Sequence, residues 1–175
     1  MLISLVTSHR VQTLSKIKLG DIKLFGSEYK IFISELTKTS SPNKQQPILR
    51  IPRFNEKPEI CVARTLEYYM KVTSPYRKDT QFLFPTYKKP HHRATAQTIS
   101  RWLKDVLNKS GIDTSLFKAH SVRHAASSAA FRAGANIECI RNAAGWTEKS
   151  NTFAKFYNRP LNTEKDFAES VVLLE

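Results

Sequence analysis

Cysteine is scarce: the 175 residues hold two, Cys61 and Cys139, far apart in the chain. Such a pair forms neither a disulfide framework nor a zinc-binding pattern and suits a reducing compartment, so both read as small core residues. Glycine is nearly as sparse, at five, while six tyrosines and two tryptophans are present. That composition describes a folded domain rather than a disordered arm. No stretch approaches the roughly 20 apolar residues of a membrane span, and MLISLVTSHR lacks the basic start and cleavage pattern of a secretory signal. The expectation is a soluble, intracellular protein. Acidic residues are also few, 15 against 28 lysines and arginines, for a net charge of +13. The excess is spread along the chain, so the expected partner is a polyanion: nucleic acid on a shaped surface ranks ahead of an anionic membrane. At this length, and with 41% hydrophobic residues, one core and one domain are expected.

Periodicity assigns the elements. Met1 to Val6 read as the middle of a helix, with the expectation that a longer protein continues upstream. Leu14 and Ile17 fall at helical spacing with Val11 behind them, Arg10 starts that short helix, and Gly20-Asp21 stops it. Alternation in Tyr29, Ile31, Ile33 and again in Ile48, Leu49, Ile51 predicts a three-stranded antiparallel sheet broken at Gly26-Ser27 and Ser41-Pro42-Asn43. Pro58 opens a helix carrying Val62, Leu66, Tyr69 and Met70, which Ser74-Pro75 ends. The segment TAQTISRWLKDVLNKSG is the clearest helix, with Ile99, Trp102, Leu103, Val106 and Leu107 on one face and Gly111 as its stop. Two further helices follow, one closed by Gly134 and one capped by Asn136. A last helix is expected from Thr163, with Phe167, Val171 and Leu174 on one stripe. The fold class is therefore α+β, mainly helical with a small three-stranded antiparallel sheet.

The stretch HSVRH, residues 120 to 124, sets His120 and Arg123 one helical turn apart, which pairs a proton-transferring group with a fixed cation. Two other readings compete. His120 and His124 are spaced like two metal ligands on a helix, although no glutamate lies between them. His120 could also simply cap a helix whose arginine is solvated. In FAKFYNRPL, the aromatic run Phe153, Phe156, Tyr157 reads first as a buried face.

Taken in order, AHSVRHAASSAA, AAGW and KFYNRP resemble the C-terminal half of tyrosine recombinases, the phage-integrase-type site-specific recombinases. In that family an H-x-x-R, a G-[HW] and a tyrosine follow one another. The wording of SHRVQTL, LTKTS and GWTEKSNTFAKFYNRP is similar to integrase-like domains of eukaryotic mobile elements, which would put the protein in a nucleus. The resemblance covers nearly the whole chain, 1–175, as a catalytic domain, and the family's N-terminal DNA-clamping domain is not part of it. It implies catalytic roles for Arg10, Lys38, His120, Arg123, Trp146 and Tyr157. Lys44 lies in the same predicted turn as Lys38 and competes for the role of hairpin lysine. An acidic residue common after the family's first arginine is absent, since Gln12 and Thr13 stand there. The segment from Trp146 to Tyr157 is also longer than in many bacterial members.

The implied chemistry needs no cofactor, metal or ATP. Two guanidiniums give planar, permanently charged contacts to a phosphodiester that gains charge as it becomes pentacoordinate. Trp146 contributes an indole N–H, the tyrosine attacks phosphorus, and His120 and the hairpin lysine move protons. The implied partner is double-stranded DNA. Lys88, Lys89, Arg93, Lys118 and Arg159 are candidate phosphate contacts, and the C-terminal stripe is a candidate homo-oligomer contact on DNA. The rival readings are a truncated or domesticated DNA-binding module, a metal-dependent hydrolase, and a protein-interaction domain.

Overall fold

A computed structural model describes residues 1–37, 40, 46–77, 80–146, 151 and 153–157, with Phe156 and Tyr157 described by backbone alone. The chain opens with helix α1 (Leu2–Thr7), ended by Ser8 in the left-handed region at φ 52°, and continues into the short helix α2 (Val11–Leu14), for which Arg10 is the N-cap residue. Strands β1 (Ile22–Phe25), β2 (Glu28–Phe32) and β3 (Ile48–Pro52) form an antiparallel sheet in that order. Ile31 lies opposite both Ile22 and Leu49, and Tyr29 opposite Leu24 and Ile51. The alternation read from the sequence thus places Ile31, Ile33, Leu49 and Ile51 on the buried face.

Helix α3 (Val62–Thr73) covers that sheet after a 3₁₀ turn at Pro58–Ile60, so Pro58 opens the turn ahead of the helix rather than the helix itself. The Tyr29 hydroxyl donates to Glu67 at 2.8 Å, and Arg53 pairs with the same carboxylate. Helix α4 (Ala96–Lys109) is capped by Thr95, whose side chain accepts from the Thr98 N–H, and buries Ile99, Leu103 and Leu107. Val106, expected on that face, is exposed: it falls at the edge of the stripe, where solvent replaces the core. One core joins α2, the sheet, α3 and the first turns of α4 through Leu14, Ile17, Ile51, Leu66 and Leu103.

Helices α5 (Ser121–Arg132) and α6 (Ile137–Ala144) form a second layer. Gly134, at φ 85°, follows α5, and the Asn136 side chain accepts from the Cys139 N–H at 2.7 Å, as their residue types predict. A smaller core of Ile140, Ala144, Trp146 and Phe153 lies beneath them. Cys61 is buried as expected, but Cys139 is exposed, because the N-terminal turn of α6 presents that position to a surface cavity. Among the described residues no helix is long and apolar enough to cross a membrane. The predicted C-terminal helix with Phe167, Val171 and Leu174 lies outside the described residues.

Candidate active site

Three segments converge on α5. The first is the link Ser8–His9–Arg10 between α1 and α2. Ser8 and Ser127 share a hydrogen bond at 3.0 Å between their Oγ atoms, and Ser127 Oγ in turn donates to the Arg123 carbonyl at 2.9 Å. Both serines are buried, so this is an internal tie between the start of the chain and α5. The left-handed backbone at Ser8 then turns the chain so that His9 goes inward, while Arg10, at the start of α2, stays exposed.

The second segment is the end of α6. Gly145 caps it in the left-handed conformation at φ 65°, and the chain reverses into Trp146. Arg123, only 4% exposed, donates from Nη2 to the Ala144 carbonyl at 2.9 Å. Its guanidinium carbon lies 4.9 Å from the Trp146 ring centroid. A buried arginine is costly unless its donors and its flat faces are engaged, and here a helix-end carbonyl and an indole engage them. A Cβ added to Gly145 would stand 3.4 Å from His9 Cε1, so the same turn also presses on the first segment.

The third segment is the turn Phe153–Tyr157, a single π-helical turn. Phe153 anchors it by edge contacts with Phe131 of α5, at 5.2 Å between centroids, and by a tilted contact with Trp146 at 6.1 Å. The aromatic run therefore contains both a packing residue, Phe153, and the backbone that carries Tyr157. Single π turns recur at functional sites.

Electrostatics centre on His9, whose pKa falls from 6.5 to about 4. Burial is the main cause, and the positive charges of Arg123 and then Arg10 add to it. The charges of both arginines thus reach a single imidazole, on the link that joins α1 to α2. His120 occupies the N-cap position of α5, exposed and with no side-chain capping bond, one turn before Arg123. Its ring meets His124 edge-on at 5.6 Å between centroids. Among the described residues no three His, Cys, Asp or Glu side chains are grouped to hold a metal ion.

The structure therefore brings together Arg123 and Trp146, with the Tyr157 backbone turn packed on the same helix and Arg10 following the Ser8 link that is tied to it; these form the candidate centre. Lys38, Lys44 and Arg159 lie outside the described residues. Of the candidate phosphate contacts, Lys88, Lys89 and Lys118 are exposed. Arg93 is engaged internally: Nε donates to the Ser15 carbonyl at 2.9 Å, Nη2 pairs with Glu35 at 3.2 Å, and the guanidinium covers the Phe82 ring at 3.8 Å. It ties the segment after α2 to the loop before α4, a geometry its charge alone did not signal. His9 is the member of the centre that the motifs did not single out; its only mark in the sequence is that it precedes Arg10.

Residues 1–164 match the model of the phage integrase family. The chain belongs to that family. Its fold is the tyrosine-recombinase catalytic-domain fold, similar to the crystal structure of XerA recombinase with a TM-score of 0.70 at 20% identity, covering 99% of this chain and 55% of that one. The Tn1549 transposon integrase in complex with transposon right end DNA is similar at a TM-score of 0.64 and 18% identity, over 99% of this chain and 57% of that one. The lambda integrase catalytic core is similar at 0.56 and 15% identity, over 86% and 79%. The chain spans about half the length of the first two. No curated protein sequence matches it. The eukaryotic mobile-element character and nuclear location implied by the wording of SHRVQTL and LTKTS find no support among these matches.

Proposed function

We propose that this chain cleaves and rejoins DNA as a site-specific tyrosine recombinase, in the integration or excision of a mobile element. The observation that carries the reading is Arg123 seated against Trp146 on α5, with the turn that bears Tyr157 anchored to the same helix through Phe153 and Arg10 following directly on the Ser8 link that is hydrogen-bonded to that helix. The two guanidiniums hold the nonbridging oxygens of the scissile phosphate, and the preformed seat of Arg123 lowers the cost of aligning it. Tyr157 Oη then attacks phosphorus. A 3′-phosphotyrosine bond forms as the bond from phosphorus to the 5′-oxygen breaks, Lys38 supplies the proton to that oxygen, and His120 accepts the tyrosine proton. The 5′-hydroxyl of another strand reverses the step and reseals the DNA, because the bond energy is kept in the protein–DNA link. Lys88, Lys89 and Lys118 add phosphate contacts that position the duplex. The stripe Phe167, Val171, Leu174 joins protomers on DNA.

Covalent trapping tests this. The protein is incubated without metal with nicked, randomised duplexes and examined for a denaturation-resistant adduct. An adduct that disappears in both Tyr157→Phe and Arg123→Ala establishes strand cleavage by Tyr157. Salt-sensitive binding with no adduct in the wild type would refute cleavage by this chain and leave a DNA-binding module.

A further inference from the structure

Among the described residues, Ser8 alone other than glycine has a positive φ, at 52°. A side chain in that left-handed region is strained, and glycine would occupy it freely, so a serine there is explained by what its hydroxyl does. Ser8 Oγ lies 3.0 Å from Ser127 Oγ and 3.5 Å from the Arg123 carbonyl oxygen, while Ser127 Oγ donates to that carbonyl at 2.9 Å. Each hydroxyl has one proton, so with Ser127 donating to the carbonyl, Ser8 is the donor to Ser127. The two serines are only 7% and 2% exposed, and a hydrogen bond lost at such a depth is not made good by solvent. A relay of two hydroxyls thus runs from the residue two before Arg10 to the backbone of Arg123. With Ser8 Oγ 3.5 Å from the Arg123 carbonyl oxygen, bond lengths alone keep the Cα atoms of Arg10 and Arg123 within about 16 Å, a span that two arginine side chains can close on one phosphate.

We propose that Ser8 is a positioning residue for strand cleavage: its bond to Ser127 fixes where Arg10 leaves the backbone relative to Arg123. The inference rests on the recombinase reading of those two arginines. They come from segments 113 residues apart, and both meet one phosphate in alignment only if their backbones share a reference set before DNA arrives. The Arg123 side chain is seated directly, by the Ala144 carbonyl and the Trp146 ring. Arg10 is exposed at the N-cap position of α2, so its placement comes from the backbone on either side of it. On the C-terminal side the Thr13 N–H donates to the Arg10 carbonyl at 2.8 Å, and Leu14 buries α2 in the main core. On the N-terminal side the anchor is the Ser8 hydroxyl, and it is tied to the helix that carries Arg123.

Two substitutions in the full chain separate positioning from stability. Both delete the hydroxyl, but Ser8→Gly relieves the left-handed strain and Ser8→Ala keeps it. Ser8→Ala is therefore expected to have the lower Tm, with Ser8→Gly close to wild type. Single-turnover trapping on nicked duplexes at saturating protein is expected to fall about tenfold in both alike, while DNA affinity, measured in the Tyr157→Phe background, stays within about threefold. Ser127→Ala removes the other hydroxyl and should give a loss of the same size, and Ser8→Gly combined with Ser127→Ala should lose no more than either alone. An adduct rate for Ser8→Gly equal to wild type, a rate that follows Tm across the two Ser8 variants, or losses that multiply in the double variant overturns this inference alone. A wild-type protein that forms no adduct overturns the recombinase reading and this inference with it.

Discussion

The Arg123 guanidinium lies over the Trp146 ring, 4.9 Å from its centroid, while its Nη2 donates to the Ala144 carbonyl next door. Two residues that the sequence offers as separate catalytic motifs are thus one packed unit. The Trp146 indole shapes the seat of the arginine, and the end of α6 fixes both.

That unit makes Arg123→Lys a severe change despite the conserved charge. A lysine has no flat face to lay on Trp146 and cannot donate bidentately. Adduct formation is expected to fall at least about 100-fold in single-turnover trapping, with DNA affinity reduced much less. A lysine variant within a few-fold of wild type would show that charge, not geometry, is what the site needs.

Gly145 is constrained twice, by φ 65° and by a Cβ position 3.4 Å from His9 Cε1. Gly145→Ala is expected to lower stability by about 1–2 kcal/mol in denaturant unfolding. Gly145→Asn tolerates the left-handed backbone better but adds more bulk toward His9. It should therefore recover part of the stability while impairing adduct formation further. Equal recovery of both would mean that the backbone alone requires glycine.

On the proposed reading, salt dependence separates the basic residues expected to contact DNA from those that hold the fold. Lys88→Ala and Lys89→Ala should each reduce the slope of log affinity against log salt by about one, with unchanged Tm. Arg93→Ala should leave the slope alone and lower stability by roughly 1–2 kcal/mol, because the side chain holds the Ser15 carbonyl, Glu35 and the Phe82 ring. A slope change for Arg93→Ala would place it on DNA after all.

The elements were legible where periodicity is strong. The buried positions of β2 and β3 and the Ile99, Leu103, Leu107 stripe of α4 follow from local spacing, as do the Asn136 cap and the glycine stops. Val106 and Cys139 were not, since whether a marginal position is covered depends on which element packs over it. The same limit applies at the site. Arg10, His120, Arg123 and Trp146 announce themselves by motif, but Arg93 looks like any surface cation until Glu35 and Phe82 arrive from 58 and 11 residues away. His9 is hidden for a similar reason: it is buried beside the turn at Gly145, which lies 136 positions further along the chain.

His9 also gives the protein an acid-sensitive point in the absence of DNA. A free imidazole titrates near 6.5, whereas His9 in the folded chain titrates at about 4. Between those values the unfolded chain binds the proton and the folded chain does not, so stability falls as pH drops through that window and is fully retained above it. The separation corresponds to about 3 kcal/mol by pH 4. His9→Gln removes the titration and should flatten the wild-type loss by that order, while the remaining acid dependence stays in both proteins. Chemical denaturation at half-unit steps from pH 7 to pH 4 measures the difference between the two curves. Parallel curves would mean that His9 titrates alike in the folded and unfolded chains, and that neither its burial nor the nearby arginines act on it.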